Sequence, residues 1–186
     1  RLDMYYPVVE CLMEVSAQQK INIQIYNLVY KLIREQGYYD NPLTEVTAGY
    51  EIKTNQRGVL SISFINYAFA GGAHGLTVVE SLTAETETGE TYSLCSLFKP
   101  DAHYIKVLSE IISRHIKNRG IEPLEEFKGI KPDQDFYISD KCLVIYFQLY
   151  ELMPYAYGFP CFPIPVYEIM DIIDEEGPLG RMLYCF

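Results

Sequence analysis

Val59-Leu-Ser-Ile-Ser-Phe-Ile-Asn-Tyr-Ala68 decides the fold class of this chain. Side chains alternate along an extended strand, so Leu60, Ile62 and Phe64 fall on one face while Ser61 and Ser63 fall on the other. A sheet with one apolar and one wetter face is the usual product of antiparallel pairing. Residues 47–54 read as the preceding strand, and Asn55-Gln56-Arg57-Gly58 supplies the turn between the two. On the far side, the loop Ala70-Gly71-Gly72-Ala73-His74-Gly75 leads into a strand over residues 76–84. Glu87-Thr88-Gly89-Glu90 then turns the chain back into residues 91–93.

Outside this region the period changes. Ile21, Ile25, Leu28, Val29, Leu32 and Ile33 recur at helical spacing. They predict a helix over residues 16–36, opened by the capping box Ser16-Ala-Gln-Gln19 and closed by Gly37. Residues 6–14 read as a strand before it. A second helix is predicted over residues 101–119, with Ile105, Leu108, Ile111, Ile112 and Ile116 on one face and Gly120 at its end. Residues 122–128 add a helical turn, and residues 136–139 and 142–152 form a hairpin around Asp140-Lys141. Cys142-Leu-Val-Ile-Tyr-Phe147 is apolar on both faces and predicts a central strand covered on two sides. Residues 162–165 are extended, and residues 166–173 form a short C-terminal helix. The class is α+β, with a mainly antiparallel sheet and two long helices packed against it. A single compact unit over residues 1–186 is expected, with candidate halves at 1–94 and 95–186.

Charge and composition narrow the function. The 186 residues carry 15 Lys and Arg against 25 Asp and Glu, a net charge of −10 that repels nucleic-acid phosphates and anionic lipid. No stretch is long and apolar enough to span a bilayer. The chain opens Arg1-Leu2-Asp3, without an initiator Met or a signal pattern, so either a leader or anchor was removed ahead of Arg1 or the sequence is a trimmed piece. Tyr occurs 17 times and Trp not at all, which reads either as a Tyr-rich sheet or as a Tyr-lined recognition face. The cysteines, Cys11, Cys95, Cys142, Cys161 and Cys185, form no C-x-x-C pair, and most are expected to be buried thiols.

Catalytic patterns are missing. His103 and His115 lie too far apart on one helix to share a metal, and His74 is expected to fix its own turn rather than act as a base. The glycine-rich loop lacks the spacing of a nucleotide cradle, and no G-x-S-x-G elbow is present. Glu125/Glu126 and Asp133/Asp135 lie in polar connections without apolar neighbours to raise a pKa. Asp171, Asp174, Glu175 and Glu176 lack calcium-loop spacing. No cofactor, no metal and no enzymatic activity are expected.

Two segments carry a family resemblance. The first runs from Ser61 through Tyr67 and Gly71-Gly72-Ala73-His74-Gly75, with Thr88-Gly89-Glu90 and Leu94-Cys-Ser-Leu-Phe98 downstream. The second comprises Phe136-Tyr-Ile-Ser139, Leu143-Val-Ile-Tyr-Phe147, Tyr150-Glu-Leu-Met-Pro-Tyr-Ala-Tyr-Gly158 and Phe162-Pro-Ile-Pro165. Together they resemble the extracytoplasmic domain pair of lysozyme-sensing anti-sigma-V factors of Gram-positive bacteria. Similar domains precede the catalytic domain of peptidoglycan or polysaccharide deacetylases, so the halves read as deacetylase-N-terminal-like and anti-sigma-V-C-terminal-like. The resemblance implies a secreted or anchored, extracytoplasmic, non-catalytic domain. The chain shows no sigma-binding segment, and it lacks the Asp-Asp metal motif and histidine pair of the deacetylase catalytic domain.

Two partner classes follow. Lysozyme or another basic cell-wall hydrolase suits an acidic protein, whereas peptidoglycan would use the tyrosines for stacking. The expected binding residues are Tyr67, Gly71, Gly72 and His74 at one loop and Pro154, Tyr155 and Tyr157 at the other. If residues 154–158 are extended, Tyr155 and Tyr157 share one face, and the two loops with Tyr67 form one binding surface.

Overall fold

Two backbone conformations fix the hairpin at the heart of the first sheet. The computed structural model describes residues 1–183, and in it β2 (Glu45–Gln56) and β3 (Val59–Phe69) pair antiparallel from Gln56↔Val59 to Glu45↔Phe69. Arg57 and Gly58 have φ of 55° and 74°. A two-residue turn with both φ positive matches the twist of the flanking strands. The turn is therefore shorter than predicted, because Asn55 and Gln56 stay in the ladder. A bulge between Ile52 and Thr54 then sets Thr54 opposite Ser61.

The chain divides at Thr91/Tyr92 into two compact units. In the first, β1 (Leu2–Met4) pairs parallel with β2, and β4 (Leu76–Glu85) pairs antiparallel with β3, giving the order β1-β2-β3-β4. Helix α1 (Val15–Glu35) lays Ile21, Ile25, Val29, Leu32 and Ile33 on Leu60, Ile62 and Phe64 of β3. Each such aliphatic side chain contributes about 1.5–3 kcal/mol on burial. The helix ends in a Schellman pair, Tyr38 N–H to the Ile33 carbonyl (3.3 Å) and Gly37 N–H to the Arg34 carbonyl (3.0 Å), with Gly37 at φ 74°.

Several expectations about this unit change. The capping box does not form: Glu14 stands at the N-cap with no side-chain cap, and the Gln18 carboxamide instead accepts from Leu12 N–H at 3.1 Å. Residues 6–14 are not a strand. Pro7 has no N–H, Cys11 sits at φ 61°, and Val9 is held through both N–H and carbonyl by the Asn22 carboxamide (2.8 and 2.9 Å). Helix side chains thus take the place of a ladder, and the segment becomes a strap. Residues 91–93 shrink to a bridge from Thr91 to Ala84. The wetter face of β3 is not wet at its serines. Ser61 and Ser63 are buried and paired across the strand, Ser61 with Thr83 at 2.8 Å and Ser63 with Ser81 at 2.9 Å.

In the second unit, α2 (Tyr104–Arg119) buries Leu108, Ile111, Ile112 and Ile116 and closes at Gly120, φ 62°. Strands β5 (Phe136–Ser139), β6 (Cys142–Tyr146) and β7 (Cys161–Pro165) form an antiparallel sheet in that order. β6 is central, and Leu143, Val144, Ile145, Tyr146 and the following Phe147 are all buried, as its continuous apolar run predicts. It stops at Tyr146 rather than reaching Leu152. Residues 122–128 are irregular, not helical; Leu124 N–H donates to the Leu152 carbonyl at 3.0 Å instead. The predicted helix over residues 166–173 is a single 3-10 turn, Val166–Ile169, and the short C-terminal helix is α3 (Pro178–Leu183).

Cys11 and Cys95 are exposed thiols rather than buried ones, Cys142 and Cys161 are half-buried, and Cys185 lies outside the described residues. No helix among the described residues is long and apolar enough to cross a membrane.

Candidate functional site

The first loop closes β3 onto β4. Gly71 takes φ 84°, against the Leu43 side chain, and the Asn41 carboxamide donates to the Ala70 carbonyl at 3.2 Å. His74 Nδ1 lies 2.9 Å from the Gly75 carbonyl, which ties the ring to its own turn. Gly75 has a separate reason to be glycine: a Cβ there would run into the Tyr67 ring and the Ala68 carbonyl. Tyr67 therefore lies across the loop base while remaining 39% exposed.

Gly72 and His74 come together at a cavity of about 440 Å³ that Glu35, Gln36, Ala68 and Val78 also line. The sequence reading missed Glu35 and Gln36, since a helix C-terminus carries no motif that points at a loop 35 residues downstream. Gln36 is committed to the fold, donating from Nε2 to the Asn66 carbonyl at 2.7 Å. Beside it, the Asn66 carboxamide is fully buried with no hydrogen-bond partner on either atom.

The second loop leaves β6 and is tied down before it becomes exposed. Gln148 N–H donates to Glu151 at 2.8 Å, and Lys131 Nζ meets the other Glu151 oxygen at 2.6 Å, which raises the Lys131 pKa. Leu152 and Met153 are buried. Pro154 then opens a 3-10 turn, Tyr155–Tyr157, that Gly158 ends at φ 70°. One expectation falls here. Tyr155 and Tyr157 do not share a face by alternation, because a 3-10 turn rotates about 120° per residue.

What Tyr155 does contact is Tyr150, with ring centroids 5.8 Å apart and tilted by 36°. Tyr150 adopts φ 65°, an uncommon conformation for a bulky residue and a locally costly one. The sequence signal for Tyr150 was its place at the head of the Tyr150–Gly158 motif; assigning it to a strand hid it. Tyr157 projects furthest, 70% exposed. Tyr67, Gly71, Gly72 and His74 thus stand in the first unit, and Pro154, Tyr155 and Tyr157 in the second. Among the described residues no group of three His, Cys, Asp or Glu side chains converges to hold a metal.

Comparison with known proteins divides the chain at a similar place. Residues 1–77 match the family model "Deacetylase PdaC", and residues 96–167 match "Protein of unknown function (DUF3298)". The anti-sigma-V factor RsiV of Bacillus subtilis is 30% identical over 176 residues, covering 88% of this chain and 61% of that protein. The peptidoglycan-N-acetylmuramic acid deacetylase PdaC of the same organism is 27% identical over 139 residues, covering 71% of this chain and 30% of the deacetylase. The chain therefore spans less than two thirds of either relative. Two solved DUF3298 structures share its fold. One, from Bacteroides fragilis, has a TM-score of 0.63 at 14% identity, over 88% of this chain and 68% of that one. The other, from Pseudomonas aeruginosa, has a TM-score of 0.68 at 13% identity, over 83% and 79%.

Proposed function

For a chain related to RsiV and PdaC over most of its length, carrying a PdaC-type segment ahead of a DUF3298 segment, we propose a non-catalytic, extracytoplasmic protein-binding module of the cell envelope. Its partner is lysozyme or a similar cationic cell-wall hydrolase. The observation that carries this reading is the second loop: Tyr157 is 70% exposed at the tip of a turn whose base, Leu152 and Met153, is buried. An exposed aromatic on an anchored stem is the form of an interface hot spot, and the same loop carries a second aromatic feature, Tyr150 against Tyr155. The net charge of −10 supports a basic partner, because complementary charge speeds encounter.

Calorimetry with lysozyme at low and high salt tests the proposal. Binding should be tightest at low salt, where screening is weakest. Tyr157→Ala should weaken it by about 2 kcal/mol or more while leaving the melting temperature unchanged. Absence of binding at about tens of micromolar protein in low salt would remove the lysozyme version. A large fall in melting temperature with unchanged affinity would return Tyr157 to a structural role.

A further inference from the structure

Helix α1 has an outer face unlike the rest of this acidic chain. Between Ser16 and Tyr30 the helix carries one charged residue, Lys20, and Lys20 Nζ is drawn aside to Glu90 (2.6 Å) and the Thr88 carbonyl (3.2 Å). The exposed positions left on that face are Gln19, Ile23, Gln24, Tyr26, Asn27 and Tyr30. Tyr26 and Tyr30, one turn apart, hold their rings at a centroid distance of 4.3 Å and a tilt of 34°, both still more than 40% exposed. Tyr30, packed against Tyr26, raises its phenol pKa, and Tyr6 and Tyr39 add to the rise. Tyr6 leads into the strap that Asn22 clamps along α1 at Val9. Tyr39, 63% exposed, meets Tyr38 edge to face at 5.4 Å.

We propose that this face, centred on Tyr26 and Tyr30 and flanked by Tyr6 and Tyr39, binds uncharged pyranose chains by stacking. Three features of the face select that occupant. Exposed aromatic rings offer flat apolar area to the C–H face of a sugar, with hydroxyls at the ring edge for its polar rim. The Gln24 and Asn27 carboxamides present both donors and acceptors, which a polyhydroxylated ligand can use and a hydrocarbon cannot. Over residues 16–30 the face carries no carboxylate to steer a cationic protein, and its one cation there, Lys20, is held by Glu90. This surface lies in the first unit, and it does not depend on the protein-binding reading of the second.

The test uses the whole chain in pull-down assays on three polysaccharides: chitin, cellulose and peptidoglycan stripped of teichoic acid. Retention should survive about 1 M NaCl, since no ion pair is involved. Tyr26→Ala/Tyr30→Ala should cut retention at least about tenfold, whereas Tyr26→Phe/Tyr30→Phe should keep most of it and Tyr157→Ala all of it. Retention on chitin and peptidoglycan alone identifies an acetamido-bearing sugar; retention on cellulose as well identifies the bare pyranose face. Both rings are exposed, so the melting temperature should hold. Should the double variant unfold, the single Tyr26→Gln and Tyr30→Gln variants give the same reading. No retention on any of the three, retention abolished by salt, or retention indifferent to the alanine or glutamine variants would overturn the proposal. So would loss of lysozyme binding in Tyr26→Ala/Tyr30→Ala, which would assign the face to a protein.

Discussion

In the first unit, β3 takes Ser61, Ser63 and Asn66 to 1% exposure or less, whereas in the second β6 buries Leu143, Val144 and Ile145 with the Tyr146 ring. Both strands are central, but they draw on different physics. The hydroxyls of β3 are satisfied by partners on β4, so their burial costs little and adds register: a slip by one residue would break the Ser61–Thr83 and Ser63–Ser81 pairs and turn Leu60, Ile62 and Phe64 off the helix. β6 is apolar on both faces, and its side chains supply energy without a polar marker of register. Its pairing with β5 is set by the tight turn at Asp140, φ 49°.

The largest expected effect sharpens the energetic half of this contrast. Ile145→Ala should cost about 3–4 kcal/mol in urea denaturation, from lost transfer energy plus the cavity left at a fully buried site. A cost under about 1 kcal/mol would mean that the β6 core collapses around the deletion. Next comes Asn66, a buried polar side chain of β3 that the ladder does not satisfy. Asn66→Leu removes two buried, unpartnered amide atoms and should stabilise the protein by about 1–2 kcal/mol. A loss of stability would show that the amide has a partner, such as an ordered water.

The third prediction tests the hydroxyl ladder. Ser61→Ala strands Thr83 Oγ1 and should cost about 1 kcal/mol, while Ser61→Ala/Thr83→Val should recover most of it, because the stranded Thr83 hydroxyl is then gone as well. Equal costs in the single and double variants would break the claim that the pair acts as a unit. The smallest effect is a pH dependence. Burial lowers the His115 pKa, with Arg119 and Arg114 adding to it, and Nδ1 is buried without a hydrogen-bond partner. The unfolded chain therefore takes up this proton more readily, so stability is intact above the ordinary histidine value of about 6.5 and declines as pH falls below it. Tm measured between about pH 7 and 5 should fall less steeply in His115→Phe than in the parent. Identical slopes would assign the acid sensitivity to carboxylates.

Much of the fold was legible because it rests on local chemistry. The stripe from Ile21 to Ile33, Gly37 and Gly120 at their helix ends, the alternation of β3 and the unbroken apolar run of β6 all lie where period and backbone freedom place them. The misreadings share a cause. Residues 6–14 have strand composition, but strand assignment needs a ladder partner, and Asn22 and Gln18 supplied hydrogen bonds first. Residues 147–152 still carry Phe147, Leu149, Tyr150 and Leu152, yet Gln148 and Glu151 close on each other and the strand ends at Tyr146. At the candidate sites the sequence named Tyr155 and Tyr157 but not Tyr150, whose role comes from φ 65° and a ring contact five residues away.

By itself, then, the sequence determined what each segment can bury: a period of two or of 3.6, a glycine free to turn, and an acidic total that repels nucleic-acid phosphates. Those are properties of neighbours along the chain and need no partner. Only the tertiary structure decided which polar groups lose water. Ser61 and Ser63 are indistinguishable in sequence from solvated serines, and Tyr26 and Tyr30 from helix residues facing a core. Burial is a relation between segments, so the cross-strand pairing that hides the serines and the outward face that leaves the tyrosines in solvent exist only once the chain has folded.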